Sequence, residues 1–308
     1  MPAHARTETL RVDNTRRWVQ SRDVKAEQLI EDARKTILRA KDNLSWTGDE
    51  RDQARQFLEL ALGRAPKPHE DVPAPAQRKF HRLVERRANG EPVPYILGWT
   101  EFRDLRLKIG PGAFVPRATS EFLAEQAIRR LRRRARPVAV DLATGIGPIP
   151  LSIAHALPRA EVHGTDISAP PLRQARANAR ALGLRVEFHL GSLFEPLPPS
   201  LRARVDTVTI HPPYVAAHEV EELPSELRNY EPEESLTDNS KDGTYLAGIV
   251  AEQAHDWLRP GGWLLIEVGS YLARTVKSLM TKAGYADVRS TEGPLGYTRV
   301  LVGRSSRA

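Results

Sequence analysis

The sequence predicts an α/β protein in which a small helical region precedes a mostly parallel, doubly wound sheet. Up to residue 90 the apolar residues recur at helical spacing, whereas after Pro137 short apolar runs alternate with helical patterns. Such alternation is typical of a parallel sheet that carries helices on both faces. The 308 residues are enough for two domains with a substantial core.

The composition excludes several classes of protein. With 40% hydrophobic and 28% charged residues, the chain has the balance of a globular protein that folds in water. No apolar stretch approaches the roughly 18 residues that a membrane span needs, and residues 1–17 lack the apolar centre of a secretory signal. The absence of cysteine removes disulfides, thiolate metal sites and cysteine nucleophiles. We therefore expect a cytoplasmic protein without a membrane partner.

The leading region divides into two parts. Residues 1–22 show no periodicity, and we expect them to be disordered, whereas residues 23–90 form a helical domain. Its helices are predicted at 23–41 and 49–63, and a third helix ends before Asn89-Gly90, which suits a helix stop.

Basic residues are concentrated in two places. Residues 1–90 hold 19 Lys and Arg against 14 Asp and Glu, an excess of 5. The run at residues 129–136 ends a predicted helix, where cations suit the negative end of the helix dipole. Direct nucleic-acid binding stays open, but we favour a solvated helical surface and a helix end as the simpler interpretations.

Seven apolar runs predict the strands of the sheet. Helical patterns separate the first five runs, as parallel crossover connections require. The last two follow each other without a long helix, so we expect an antiparallel pair at the sheet edge. The predicted strands are 138–142, 162–165, 185–190, 205–210, 263–268, 285–290 and 298–303.

A glycine-containing turn follows the first of these strands, and Asp166 ends the second. Glycines allow a ligand to approach the backbone closely, and a carboxylate 21 residues after Gly145 can accept both hydroxyls of a ribose. A dinucleotide would need a third glycine where Pro150 stands, and Ile146 crowds the turn. We therefore expect a nucleoside cofactor without a pyrophosphate. Its predicted contacts are Ala143, Thr144, Gly145, Ile146, Gly147 and Asp166.

A rigid loop, His211-Pro-Pro-Tyr214, closes the strand predicted at 205–210. Because the carboxyl ends of parallel strands meet at one edge, this loop should face the glycine turn. The prolines fix the backbone and leave carbonyl acceptors, while His211 adds an acceptor and Tyr214 a flat wall. Together the loops indicate S-adenosyl-L-methionine and methyl transfer to a planar polar group. We expect His211, Pro212 and Tyr214 to be catalytic, Pro213 to contact the substrate, and His211 also to contact the cofactor.

Further segments carry a resemblance to a known family. Gly90-Glu-Pro-Val-Pro-Tyr-Ile-Leu-Gly98 and Phe114-Val-Pro-Arg-Ala-Thr-Ser-Glu121 resemble the signature of the protein-glutamine methyltransferases that modify peptide chain release factors. The resemblance covers residues 24–303. It continues through Tyr230-Glu-Pro232, Lys241-Asp-Gly243, Leu258-Arg-Pro-Gly-Gly262 and Glu267-Val-Gly269.

The resemblance implies a helical bundle that recognises the substrate, a linking hairpin over residues 91–120 and a seven-stranded methyltransferase domain over residues 121–308. It implies methylation of the side-chain amide of the glutamine in a Gly-Gly-Gln loop of a release factor, with S-adenosyl-L-homocysteine as the second product. Phe114 would stack on the substrate, although a core position is equally compatible. Ser192 and Leu193 would contact the cofactor.

This chain departs from the family pattern where substrate and cofactor are held. His211 replaces an asparagine, Ala143 a glycine, Ala118 a proline, and Leu193 an aromatic residue that can cover the adenine. A neutral imidazole accepts one hydrogen bond, so amide methylation remains open. An imidazole can also act as a general base toward an amine, hydroxyl or carboxyl of another protein or a small metabolite, or it can merely pack.

Other interpretations stay open beside these. A nucleobase amino methyltransferase also uses an x-Pro-Pro-Tyr loop, but no separate target-recognition domain is visible, and a non-catalytic binding module would keep the fold. The nine histidines show no metal-ligand spacing, so we expect no metal. An acidic segment either admits a basic partner loop or is a solvated crossover; it contains Glu219, Glu221, Glu222, Glu226, Glu233 and Glu234.

Overall fold

The computed structural model of the protein describes residues 24–41, 44 and 49–306. The disorder expected for residues 1–22 lies outside this part of the chain. Within it the chain forms two compact units, one from the described residues of Met1–Arg39 and Gly48–Glu85 and the other from those of Ala40–Thr47 and Arg86–Ala308. Among the described residues, no helix is long and apolar enough to cross a membrane.

Helices build the leading part of the described chain. Helix α1 (Ala26–Arg39) buries five apolar residues at the spacing of one helical face. Helix α2 (Glu50–Leu62) begins where the Asp49 side chain accepts two backbone N–H groups, and it ends at Gly63 in the left-handed conformation. Helix α3 (Ala74–Ala88) ends at the stop predicted from the sequence.

A short helix and a hairpin follow. Helix α4 (Val93–Leu97) leads into β1 (Trp99–Phe102), which pairs antiparallel with β2 (Leu105–Lys108). The Asn178 side chain accepts from the Lys108 N–H and donates to its carbonyl, so the hairpin is held by a residue far along the chain. A hairpin therefore lies inside the segment where the family resemblance implies one.

One sheet of seven strands forms the centre of the second unit, in the order β5-β4-β3-β6-β7-β9-β8. The first five strands of that order pair in parallel, whereas β9 pairs antiparallel with both β7 and β8. The fold prediction is confirmed, and the chain's last strand lies between its two antiparallel neighbours. The strands are β3 (Val138–Leu142), β4 (Glu161–Asp166), β5 (Glu187–Leu190), β6 (Val205–Ile210), β7 (Leu258–Gly269), β8 (Ala286–Glu292) and β9 (Thr298–Arg304).

Helices cover both faces of this sheet. The helices are α5 (Ser120–Leu131), α6 (Pro148–Ala156), α7 (Ala169–Leu182), α8 (Ser225–Tyr230), α9 (Tyr245–Gln253) and α10 (Ala273–Lys282). Alternate residues of β3 enter two separate apolar clusters: Ala139 packs with residues of α5, α6 and α7, and Val140 packs with residues of α9 and α10. Burial on both faces explains why β3 and β6 read as continuous apolar runs.

Candidate active site

The turn between β3 and α6 passes through three left-handed backbone positions. Ala143, Gly145 and Gly147 have φ angles of 51°, 57° and 82°. A Cβ at Gly147 would lie 3.0 Å from the Phe188 ring, whereas a Cβ at Gly145 would have nothing within 4 Å. The turn therefore packs against the core at Gly147 and stays open to a ligand at Gly145.

A buried carboxylate holds this turn. Asp141, which is 1% exposed, accepts hydrogen bonds from the hydroxyls of Thr144 and Thr209, each at 2.6 Å. Burial raises the pKa of Asp141 to about 7, and the two hydroxyl donors oppose that shift. Asp141 was not among the predicted site residues, although a carboxylate inside an apolar strand is a signal that could have identified it.

Asp166 lies beside the turn, at the carboxyl end of β4. One of its oxygens accepts the Gly145 N–H at 2.8 Å, and the other accepts the Ser168 N–H at 2.9 Å. Burial raises the pKa of Asp166, and these two N–H donors oppose the shift. Because each carboxylate oxygen keeps a second lone pair, Asp166 can hold the turn and still accept hydroxyls from a ligand.

His211 follows β6 and is held by contacts on several sides. Its Nδ1 lies 3.0 Å from Ser120 Oγ, at the start of α5. Its ring meets the Phe114 ring edge-on, with centroids 5.7 Å apart, and lies 5.6 Å from the Tyr214 ring. Burial lowers the pKa of His211, so the imidazole is neutral at pH 7.

Two charged groups adjust the His211 pKa in opposite directions. The Glu267 carboxylate raises it, and the Arg117 guanidinium lowers it. Glu267 is fully buried on β7, and neither of its oxygens has a hydrogen-bond partner among the described residues. The parallel register pairs Ile210 with Ile266, which places Glu267 beside His211 in the next strand. The strand-ending motif Glu267-Val-Gly269 was the sequence signal for this residue, but no role was assigned to it.

Phe114 lies on the wall of a cavity and in neither apolar cluster. The Arg117 guanidinium covers one side of its ring, with Cζ 4.2 Å from the centroid. Arg117 also pairs with Glu231 at 2.7 Å. Burial raises the pKa of Glu231 to about 7, and Arg117 opposes that shift. Of the two roles considered for Phe114, this position favours contact with a substrate.

The Pro-Pro-Tyr loop is held by a neighbouring glycine. A Cβ at Gly243 would lie 1.9 Å from the Tyr214 carbonyl oxygen, and Gly243 has a φ of 68°. The Val215 N–H donates to the Leu236 carbonyl at 2.9 Å. Burial raises the pKa of Tyr214 to about 12, so its hydroxyl stays protonated.

The acidic segment after this loop is not uniformly solvated. Glu226 is buried and pairs with Arg87 at 2.9 Å, while Glu221 pairs with Arg228 at 3.2 Å. Glu234 lines the same cavity as Phe114. Structural roles therefore account for part of a segment that reads as a charge run.

A cavity of about 570 Å³ joins these groups. Gly147 is the one predicted site residue that does not line it, because Gly147 faces Phe188 instead. The predicted residues in the lining are Phe114, Ala143, Thr144, Gly145, Ile146, Asp166, Ser192, Leu193, His211, Pro212, Pro213 and Tyr214.

The lining suits a nucleoside-like cofactor that carries no phosphate. Among the described residues that line the cavity, Arg117 is the one Lys or Arg, and Glu231 already pairs with it. The open turn at Gly145 allows close approach, Asp166 offers acceptors, and the exposed Ile167 offers apolar surface. S-adenosyl-L-methionine, with ribose hydroxyls and a cationic sulfonium, fits these groups better than a dinucleotide with its anionic pyrophosphate does.

Comparison with known proteins agrees with the geometry. Residues 28–98 match a PrmC N-terminal domain and residues 139–230 a methyltransferase domain. The release factor glutamine methyltransferase of Geobacter sulfurreducens is 37% identical over 72% of this chain and 76% of its own length. That of Bordetella pertussis is 36% identical over 85% of this chain and 98% of its own length.

A solved structure shares the fold. The T. thermophilus 16S rRNA N2 G1207 methyltransferase, in complex with AdoMet and guanosine, superposes with a TM-score of 0.50 at 18% identity. The match covers 68% of this chain and 50% of that one. At this level of identity the likeness concerns the architecture of the sheet and its helices.

Proposed function

Since this chain belongs to the release factor glutamine methyltransferase family and is an S-adenosyl-L-methionine-dependent methyltransferase, we propose that its substrate is the glutamine side-chain amide of a peptide chain release factor. The observation that carries the proposal is the environment of His211. Its neutral imidazole is held beside Phe114 and directly precedes the two prolines of the Pro-Pro-Tyr loop. This arrangement offers hydrogen-bond acceptors and an aromatic wall to a planar amide.

The cofactor would lie across the glycine turn. Backbone groups of residues 143–147 would surround it, Asp166 would accept its ribose hydroxyls, and Ser192 and Leu193 would contact its base. When bound, it supplies an electrophilic methyl group attached to a sulfonium. The acceptor amide must then be oriented toward that methyl group by the protein.

Orientation is the main task, because an amide nitrogen is a weak nucleophile whose lone pair is delocalised into its carbonyl. Acceptors that draw on the amide N–H groups localise that lone pair, and a fixed geometry removes the entropic cost of alignment. The carbonyl of Pro212 and a ring nitrogen of His211 would serve as these acceptors. Tyr214 would form the flat wall behind the amide.

Ser120 sets which nitrogen of His211 is available. If Ser120 Oγ accepts the Nδ1–H, at 3.0 Å, then Nε2 keeps its lone pair and points away from that contact as an acceptor. Nε2 can also take up the proton that the amide nitrogen loses on methylation. Ser120 would therefore act as a positioning residue.

The rim of the cavity suits a protein substrate. Tyr245 and Tyr271 line it and are 60% and 64% exposed. Exposed aromatic side chains of this kind are enriched where proteins bind one another. A protruding loop with small residues before the glutamine could pass between them and reach His211.

A second candidate is supported by the same neutral imidazole. His211 could act as a general base toward a hydroxyl, amine or carboxyl of another protein or a small metabolite. An amide substrate needs His211 mainly as an acceptor, whereas these substrates need it to remove a proton. Replacing His211 by asparagine separates the two cases, as argued in the Discussion.

The direct test uses the full chain, labelled S-adenosyl-L-methionine and an intact release factor. We expect one methyl group on the glutamine of its Gly-Gly-Gln loop, located by mass spectrometry, and none when that glutamine is replaced by glutamate. Asp166→Asn should weaken S-adenosyl-L-homocysteine binding in calorimetry, because charge-assisted bonds are worth about 1.5–3 kcal/mol each. Label on a different residue, or on no protein, would reject the release-factor glutamine as the substrate. The cofactor assignment is tested separately, by the calorimetry.

A further inference from the structure

Three potential metal ligands meet on strands β4 and β5, away from the residues that line the active-site cavity. His163 Nδ1 lies 3.1 Å from His189 Nε2 and 3.8 Å from a Glu187 carboxylate oxygen. One ligand atom from each of the three residues lies within 4.8 Å of the other two. Ligands that hold a zinc ion at about 2.0–2.2 Å are separated from one another by comparable distances.

The strand register brings these residues together. His163 on β4 pairs in parallel with Glu187 on β5, and His189 lies two residues further along, on the same face as Glu187. Phe188, between them, points to the opposite face, where it packs against Gly147 and Gly164. The spacing in the sequence concealed the cluster because it depends on a pairing between two strands, and the expectation that no metal binds was based on spacing.

The surroundings of His163 favour the tautomer in which Nδ1 carries a lone pair rather than a proton. Its Nε2 lies 3.3 Å from Glu161 Oε1, and the other oxygen of Glu161 lies 3.2 Å from Arg204 Nη2. A carboxylate that accepts the far N–H of an imidazole fixes the tautomer and raises the basicity of the ligating nitrogen. Glu161 and Arg204 therefore form the outer contacts that zinc-binding histidines have.

Access from solvent also suits a metal. His163 is 2% exposed, His189 is partly buried, and Glu187 is exposed. An ion can thus enter from solvent on the Glu187 side and reach a buried ligand.

We propose that His163, His189 and Glu187 form a zinc site, with solvent as the fourth ligand. Two imidazoles and one carboxylate are a donor set that Zn²⁺ accepts in tetrahedral geometry. The ion would join β5, an edge strand of the sheet, to β4. Its consequence is stability of that edge rather than a part in methyl transfer.

Calorimetric titration of the full chain, first stripped with a chelator, provides the test. We expect ZnCl₂ to bind at this site and to raise the unfolding temperature, because a ligand that binds the native state stabilises it. Co²⁺ should give the visible absorption of a tetrahedral complex. Absence of saturable binding, or an octahedral cobalt spectrum, would overturn the proposal.

Variants assign the binding to these residues. His189→Gln and Glu187→Gln change side chains that are not fully buried, and each should weaken zinc binding at least about tenfold, while Glu161→Gln should weaken it about 10–100-fold. His155→Gln, an exposed histidine at the end of α6, is the matched control and should bind zinc as the wild type does. Equal affinity in the wild type and His189→Gln would show that zinc binds elsewhere.

Discussion

At the residue scale, the role proposed for His211 bears on which substrates the site can accept. An imidazole both accepts hydrogen bonds and takes up protons, whereas the asparagine of the family pattern only accepts and donates hydrogen bonds. The environment of His211 keeps it neutral, since burial outweighs the opposing effect of Glu267 on its pKa. The substitution therefore keeps the acceptor and adds a base.

The pH dependence of methylation should reveal this imidazole. Because burial lowers the pKa of His211, the neutral acceptor should persist below the ordinary histidine value of about 6.5, and activity should fall only at lower pH. His211→Asn should remove this acidic limb and keep, or raise, activity toward a Gly-Gly-Gln substrate. The measurement is kcat as a function of pH with intact release factor.

Two comparisons make that experiment decisive. Glu267 raises the His211 pKa, so Glu267→Gln should move the acidic limb to still lower pH. Because burial lowers the pKa of His211 in the folded state, the unfolded chain binds a proton on this histidine at a higher pH than the folded chain does. The free energy of unfolding should therefore decline below about pH 6.5, and it should decline less in His211→Asn.

In the activity experiment, loss of the native reaction in His211→Asn at every pH would identify a general base and a different substrate. An unchanged acidic limb would reject the acceptor role.

The positions of single residues could be predicted from the sequence where a polar side chain stands at the end of a strand; their roles stay predictions. Asp166 and the His211 loop follow apolar runs, so parallel topology alone brings them to one edge of the sheet. Asp141 and Glu267 each carried a sequence signal, but no role was assigned to them, because a position within a buried strand does not identify the partners of a side chain. The hydroxyl of Thr209 that Asp141 accepts depends on strand pairing, which periodicity does not encode.

At the element scale, the Pro-Pro-Tyr loop depends on a loop from elsewhere in the chain. Gly243 packs so closely on the Tyr214 carbonyl that no side chain fits between them. The prolines restrict the conformations of the loop, and this contact fixes its position. The two prolines thus make the loop rigid, whereas the segment around Gly243 determines where the loop lies.

Substituting two glycines separates placement from backbone strain. Gly243 and Gly183 have φ angles of 68° and 65°, so the backbone strain of alanine alone should cost about 1–2 kcal/mol of stability at either position. Only at Gly243 would the new Cβ meet the Tyr214 carbonyl; at Gly183 nothing lies within 4 Å. We expect Gly243→Ala to lower kcat by about 10²-fold, since misplacement of about 1 Å can have that effect, and Gly183→Ala to leave it unchanged. Both kcat and the unfolding temperature are measured for each variant. Equal kcat values in the two variants would contradict the role of Gly243 in placing the Pro-Pro-Tyr loop.

The accuracy of the predicted element bounds depends on how strongly burial marks each element in the sequence. The strand predicted at 205–210 is found at Val205–Ile210, because a strand buried on both faces has sharp apolar limits. Strand β7 begins at Leu258, earlier than the predicted 263, since it continues through an irregularity in its pairing with β6. The short helices of residues 217–235 carry too few turns for a periodic signal.

At the scale of the whole molecule, the leading helical region remains a predicted recognition domain. Its match to a PrmC N-terminal domain accompanies a methyltransferase domain whose own loops line the cavity in which we propose that the cofactor binds. A methyltransferase that modifies one glutamine of a large protein needs contacts beyond that side chain. Basic residues exposed on α3, among them Arg78 and Arg82, are suited to steer such a partner.

Charge reversal on α3 tests this recognition in the full chain. We expect Arg78→Glu combined with Arg82→Glu to lower kcat/KM toward intact release factor by about tenfold at low salt, because surface charges act mainly on association and are screened by salt. Activity toward a short Gly-Gly-Gln peptide should not change. The charge-matched control combines Lys282→Glu with Arg289→Glu, two exposed positions on α10 and β8. An equal loss in the control, or an equal loss with the peptide, would show that overall charge or the catalytic site is responsible and would reject α3 as a recognition surface.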